Sequence, residues 1–162
     1  MTSHTGEPAS VNDLCLATPS KHILVVDDDI DIRRSISDVL VRSDYRVDTA
    51  KDGEAGWEAL QTRNYDLLIT DHQMPKVSGL ELLMRLRSAR MTLPVILASG
   101  ALPEELNRLP GLQLSATLLK PFTPNELLGT IKNILHPSDN AHEEFRSLPI
   151  MRTQPLTNAL RV

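Results

Sequence analysis

The sequence predicts an α/β fold, a doubly wound parallel sheet of five strands with five helices. Three observations carry that reading. Short apolar runs recur: Ile23-Leu24-Val25-Val26, Leu67-Leu68-Ile69-Thr70, Val95-Ile96-Leu97-Ala98 and Leu118-Leu119. Such runs are the mark of strands buried on both faces. Helical spacing fills the stretches between them, and strands alternating with helices pair in parallel through right-handed crossovers. Finally, each run ends on chemistry: Asp27-Asp28, Asp71, Ser99 and Lys120.

The elements follow in order. Residues 1–20, rich in Ser, Thr, Pro and Asn, read as a flexible lead. Lys21 to Asp27 is the first strand. The first helix carries Ile32, Ile36, Val39 and Leu40 on one face. Tyr45 to Ala50 alternates polar and apolar residues and makes the second strand. Asp52-Gly53 signals a turn. A helix over about 54–63 has the stripe Ala55, Ala59, Leu60, with Trp57 off it as a half-exposed packing residue. Tyr65 to Asp71 is the third strand, and Leu80, Leu83 and Leu86 mark an amphipathic helix after it.

Leu93 to Ser99 is the fourth strand. A short helix starts at Pro103 and is stopped by Pro110-Gly111. Ser115 to Leu119 is the short fifth strand. The last helix is the best signed: Thr123 caps it, Pro124 takes the first position and Glu126 completes a capping box. Leu127, Ile131, Ile134 and Leu135 form its stripe. Pro137 ends it, and 137–162 reads as a mostly disordered tail.

Bulk properties narrow the function. A chain of 162 residues is one domain plus tails. Its net charge of -4 and lack of a basic stripe argue against nucleic-acid binding. No segment approaches the roughly 20 apolar residues of a membrane span. The start lacks the pattern of a signal peptide. The single cysteine, Cys15, cannot form an intrachain disulfide, so a cytoplasmic location is expected.

The site is read from the strand ends. In open α/β sheets, ligands bind beyond the carboxyl ends of the strands. Asp29 is accounted for as a helix cap. Asp27 and Asp28 are not, because they abut a buried strand. Two ionised carboxylates 4 Å apart repel by roughly 4 kcal/mol at an effective dielectric of 20. A rim with Asp27, Asp28 and Asp71 therefore needs a cation, and hard oxygen ligands suit Mg²⁺. Neighbouring strands lie about 4.8 Å apart, so the first and third strand ends can share one ion if those strands are adjacent. Asp71, ionised at neutral pH, is the candidate nucleophile. Ser99 and Lys120 supply a hydrogen-bond donor and a positive charge to phosphoryl oxygens. His72 is read as a packing or surface residue, since neighbours on a strand point opposite ways.

Together, Ile23-Leu24-Val25-Val26-Asp27-Asp28-Asp29, Asp71-His72-Gln73-Met74-Pro75 with Gly79, Ser99-Gly100-Ala101 and Lys120-Pro121-Phe122-Thr123 resemble the receiver domain of two-component response regulators. The resemblance spans about 21–136 and is to single-domain, chemotaxis-type receivers. It implies a flavodoxin-like sheet with strand order 2-1-3-4-5. It implies Asp71 as phosphoacceptor, with Asp28, Asp71 and the Gln73 carbonyl ligating Mg²⁺ and Asp27 acting through a metal-bound water. Lys120 is implied to pair with a phosphoryl oxygen, with a cis Lys120–Pro121 bond, and Ser99 to report phosphorylation.

The implied partners are a sensor histidine kinase or histidine phosphotransfer protein and a downstream protein. Neither nucleic acid nor membrane is implied, and the chain is expected to be a monomer or weak dimer. Such a domain catalyses its own phosphorylation and dephosphorylation without being a classical enzyme. The sequence departs from the family pattern at Thr117, where an aromatic partner of the Ser99 switch is usual. Two other readings compete: a haloacid-dehalogenase-like phosphohydrolase using Asp27, and a receiver-like scaffold without phosphorylation.

Overall fold

The computed structural model describes residues 20–101 and 112–137. The elements run β1 (His22–Val26), α1 (Ile30–Val41), β2 (Arg46–Ala50), α2 (Gly53–Thr62), β3 (Leu67–Asp71), α3 (Gly79–Ser88), β4 (Val95–Ser99), β5 (Ala116–Leu119) and α4 (Pro124–Leu135). All five strands pair in parallel in the order β2-β1-β3-β4-β5. The expected topology is therefore present. The helix expected to begin at Pro103 and most of both tails lie outside the described residues.

Side chains alternate across a strand, and that splits the core in two. Leu24, Val26, Leu68 and Val95 face Leu60 of α2 and Leu82, Leu83 and Leu86 of α3. Ile23, Val25, Leu67, Ile69, Ile96 and Leu118 face Ile36 and Leu40 of α1 and Leu127 and Ile131 of α4. Burying each such side chain contributes about 1.5–3 kcal/mol. Trp57 is half-buried against the first of these layers, as expected.

The caps explain where helices start. Asp29 accepts from the amides of Asp31 and Ile32 and starts α1. Thr123 and Glu126 form the expected capping box of α4, with Pro124 in its first turn. A second box, Ser78 with Glu81, starts α3. Asp52, read from the sequence as half of a turn, caps α2 through the Ala55 amide. Among the described residues, no helix is long and apolar enough to cross a membrane.

Candidate functional site

The sheet order makes β1 and β3 neighbours, so the condition for a shared cation at their ends is met. Asp27 follows β1 and is buried, with 2% exposure. Its Oδ1 accepts from the Asp29 amide at 2.9 Å. Asp71 closes β3 and is also buried. Its Oδ2 accepts from the Gln73 amide at 2.8 Å. The remaining oxygens converge on one group. The Lys120 ammonium donates to Asp27 Oδ2 at 2.8 Å and to Asp71 Oδ1 at 2.6 Å.

Lys120 follows β5, and β4 lies between β5 and β3, so its side chain spans the end of β4. The amide of Lys120 donates to the Ser99 carbonyl at 2.8 Å, and the Lys120–Pro121 bond is cis, as the resemblance implies. Burial pushes the lysine pKa down, but the hydrogen bonds to Asp27 and Asp71 outweigh burial and hold it above the ordinary lysine value. The lysine is therefore charged throughout the neutral range.

Two buried carboxylates thus share a single ammonium. That arrangement is short of positive charge, since buried carboxylates are stable when paired. Asp28, alongside, is exposed. Asp29 differs: the amides of Ile32 and Asp31 occupy its carboxylate and hold its pKa low. The capping role expected for Asp29 holds.

The donor chemistry fits Mg²⁺. Two carboxylates already gathered on one cation are hard oxygen donors. Among the described residues, no three or more His, Cys, Asp or Glu side chains close on one point. An all-protein cage is thereby absent from those residues, whereas Mg²⁺ keeps several waters and takes only one or two carboxylates.

The other expected residues are placed unequally. Ser99 ends β4, is buried and shares its hydroxyl with the Ala101 main chain. Gln73 is exposed just past Asp71. Thr117 is exposed and pairs with Leu97, whereas Leu119 is the residue that pairs with Ser99. Thr117 therefore sits about two residues, or roughly 7 Å, short of the rim. His72 is half-buried, its amide donates to the Ala98 carbonyl, and its Nδ1 is buried with no partner among the described residues.

Backbone shape matters at Gly79. A Cβ there would lie 2.1 Å from the Asp71 carbonyl oxygen. Only glycine lets α3 begin so close to the acid. Sequence reasoning missed two contributors. The Arg33 guanidinium donates to the Asp27 carbonyl. The Lys76 ammonium lies 3.2 Å from Asp52 Oδ2. A capping signal was present at Asp52, immediately ahead of a helical stretch; nothing in the sequence marks Lys76.

Comparison with known proteins bears on the family. Residues 23–132 match the family model for the response regulator receiver domain. The chain is 37% identical over 124 residues to the alkaline phosphatase synthesis transcriptional regulatory protein PhoP of Bacillus subtilis, covering 75% of this chain and 51% of that protein. It is 36% identical over 144 residues to the response regulator RppA of Synechocystis, covering 86% of this chain and 61% of RppA. The chain thus spans only half to three-fifths of those relatives.

Among solved structures, the chemotaxis response regulator CheY4 of Vibrio cholerae aligns with TM-score 0.65 and 30% identity, over 72% of this chain and 99% of that one. The response regulator TrrA of Thermotoga maritima, solved with Mg²⁺ and BeF, aligns with TM-score 0.65 and 33% identity, over 71% of this chain and 99% of TrrA. With the sheet order, the lysine-bridged acids and a family match running from β1 into α4 all in agreement, the chain belongs to the response regulator receiver domain family.

Proposed function

We propose that this receiver accepts a phosphoryl group on Asp71 in a Mg²⁺-dependent reaction and signals by protein–protein contact. The donor is a phosphohistidine on a sensor histidine kinase or a histidine phosphotransfer protein. The observation that carries the reading is the Lys120 ammonium held between Asp27 and Asp71. In the transfer, the phosphorus–nitrogen bond of the donor breaks and a phosphorus–oxygen bond to an Asp71 carboxylate oxygen forms. The electron pair of the broken bond leaves with the imidazole.

Asp28, Asp71 and the Gln73 carbonyl would hold Mg²⁺, with Asp27 acting through a bound water. The bound ion supplies positive charge to the phosphoryl oxygens. Lys120 adds a second charge there, and the Ser99 hydroxyl turns from Ala101 toward the phosphoryl group to report it. Such transfers are driven mainly by positioning and electrostatics. Our reading takes 21–136 as the functional unit, acting alone in the cytoplasm as a monomer or weak dimer, with no contact to nucleic acid or membrane. Thr117 is the weak link in its switch.

The test is labelling with acetyl phosphate, followed by intact mass. Wild type gains one phosphoryl group only with Mg²⁺, and Asp71→Ala gains none. Labelling that persists in Asp71→Ala would sink the assignment.

A further inference from the structure

The loop between β3 and α3 contains an unusual turn. The Val77 amide donates to the Pro75 carbonyl at 2.9 Å, so the chain reverses around Lys76 alone. Lys76 has φ 68°. A one-residue turn with positive φ is rare and strained, and glycine would adopt it freely. Nothing about burial explains a lysine here, because its side chain is 69% exposed. What lysine offers and glycine lacks is the ammonium, 3.2 Å from Asp52 Oδ2.

Asp52 is a fixed anchor. It is 6% exposed, and its other oxygen accepts from the Ala55 amide at 2.8 Å, capping α2. Next to it, Gly53 lies so close to the loop that a Cβ would sit 2.4 Å from the Val77 carbonyl oxygen. The anchor belongs to the same rim as the acids, since the Asp27 amide donates to the Ala50 carbonyl at 3.3 Å. Upstream in the loop, the Gln73 amide bonds Asp71 Oδ2 and the His72 amide bonds the Ala98 carbonyl. Gln73 therefore lies between two fastenings, Asp71 on one side and the Lys76–Asp52 pair on the other.

The geometry points to Lys76 as a positioning residue: its ion pair with Asp52 holds the Gln73 main chain in place over Asp71. The inference rests on the reading of Asp71 as acceptor and of the Gln73 carbonyl as a Mg²⁺ ligand. A site held by rigid supporting groups binds and reacts better than one on a loose loop. Lys76 thus trades local backbone strain for order where the ion is to be held.

Three variants test this. Lys76→Gly removes the ammonium and the strain together. Asp52→Asn removes the charge and keeps a capping side chain. Lys76→Arg restores a cation. Hydrogen exchange on the free protein, without Mg²⁺ or phosphodonor, is expected to speed up at Gln73 and Val77 in K76G and D52N and return toward wild type in K76R. The thermal midpoint of K76G is expected at or above wild type.

In acetyl phosphate labelling, the Mg²⁺ concentration for half-maximal rate is expected to rise by up to about fivefold in K76G, the size of a partly exposed ion pair. The rate at saturating Mg²⁺ is expected to stay within about twofold, and K76R is expected to recover the half-maximal concentration. Unchanged exchange at Gln73 in K76G overturns the proposal. So does a lowered midpoint with faster exchange across the whole sheet, the mark of a merely structural lysine. If wild type shows no Mg²⁺-dependent labelling, the reading of function fails, and the exchange data still decide the clamp.

Discussion

The two ends of the sheet both carry charge, and they balance it differently. Toward the amino end, Asp48, midway along β2, accepts from Arg63 at 2.7 Å and from Tyr65 at 2.9 Å, both of which precede β3. Asp66 there accepts from Lys21 at 3.0 Å and from the His22 amide at 2.8 Å. Each carboxylate has its own cation. Arg87, at the end of α3, donates to the carbonyls of Met91, Leu93, Leu112 and Gln113. At the carboxyl end, two deeper carboxylates divide one lysine. A balanced cluster holds structure together. A cluster short of a cation leaves room for one, as the proposed Mg²⁺ reading requires, and that difference distinguishes the two ends.

The comparison breaks first, and most visibly, on a lysine. Lys120→Ala is expected to slow acetyl phosphate labelling about 10²-fold or more at saturating Mg²⁺, the scale for loss of one group that stabilises transition-state charge. Asp48→Asn, in the cluster facing the opposite end, is expected to leave that rate within about twofold. Equal losses in the two variants would mean that the ends are not functionally distinct.

A smaller effect sharpens the scaffold side. Arg87→Ala leaves main-chain carbonyls of the α3–β4 loop and of the segment before β5 without their donor. Unmet carbonyls of this kind cost about 1–3 kcal/mol. Urea unfolding should show that loss, with labelling by the folded protein unaltered. A labelling defect larger than the stability loss predicts would put Arg87 in the working part of the molecule.

The smallest effect lies in the pH profile. For Asp48, burial raises the pKa but the Arg63 and Tyr65 hydrogen bonds outweigh it, leaving it below 3.8. Asp66 is likewise lowered against its burial by the His22 amide and Lys21. A lowered carboxylate pKa gives stability that is present above the unfolded value and lost as pH falls through the folded one. The amino-end cluster therefore contributes to the acid arm, together with capping carboxylates such as Asp29 and Asp52, which backbone amides hold low. Burial, then the bond to Asp48, raises Tyr65 from 10.0 to about 12. Lys120 is raised above 10.5. Both contributions are full below those ordinary values and fade as pH climbs past them. Tyr65→Phe should therefore flatten part of the loss between pH 10 and 12, read as the midpoint of thermal unfolding, and Lys120→Ala another part. An alkaline arm unchanged by either substitution would contradict both assignments.

Much of this architecture was legible in the sequence because burial writes itself into apolar runs. Val95-Ile96-Leu97-Ala98 announced β4, and the structure trims the expected start from Leu93 to Val95. Thr123-Pro124 with Glu126 announced α4 through local hydrogen bonding alone. Leu82 was harder. It falls outside the expected stripe of Leu80, Leu83 and Leu86, yet it is fully buried, because α3 is covered by the sheet and by α2 together. In the site, strand ends located Asp27, Asp71, Ser99 and Lys120. Asp28 stays exposed where a second buried acid seemed equally placed. Lys76 had no sequence signal, since its partner Asp52 lies 24 residues away in the chain.

The lysine bridge also sets a timetable. Lys120 is 93 residues from Asp27 and 49 from Asp71, so the contact closes long loops, whose entropy comes before any reward. A chain emerging from synthesis carries both acids well before it carries the group that neutralises them. Until β5 joins the edge of the sheet, the central strands end in two unrelieved like charges. If Asp71 is the acceptor we propose, competence to be modified arrives with β5, and a half-finished chain would be a poor substrate for the same reason that it is a poor fold.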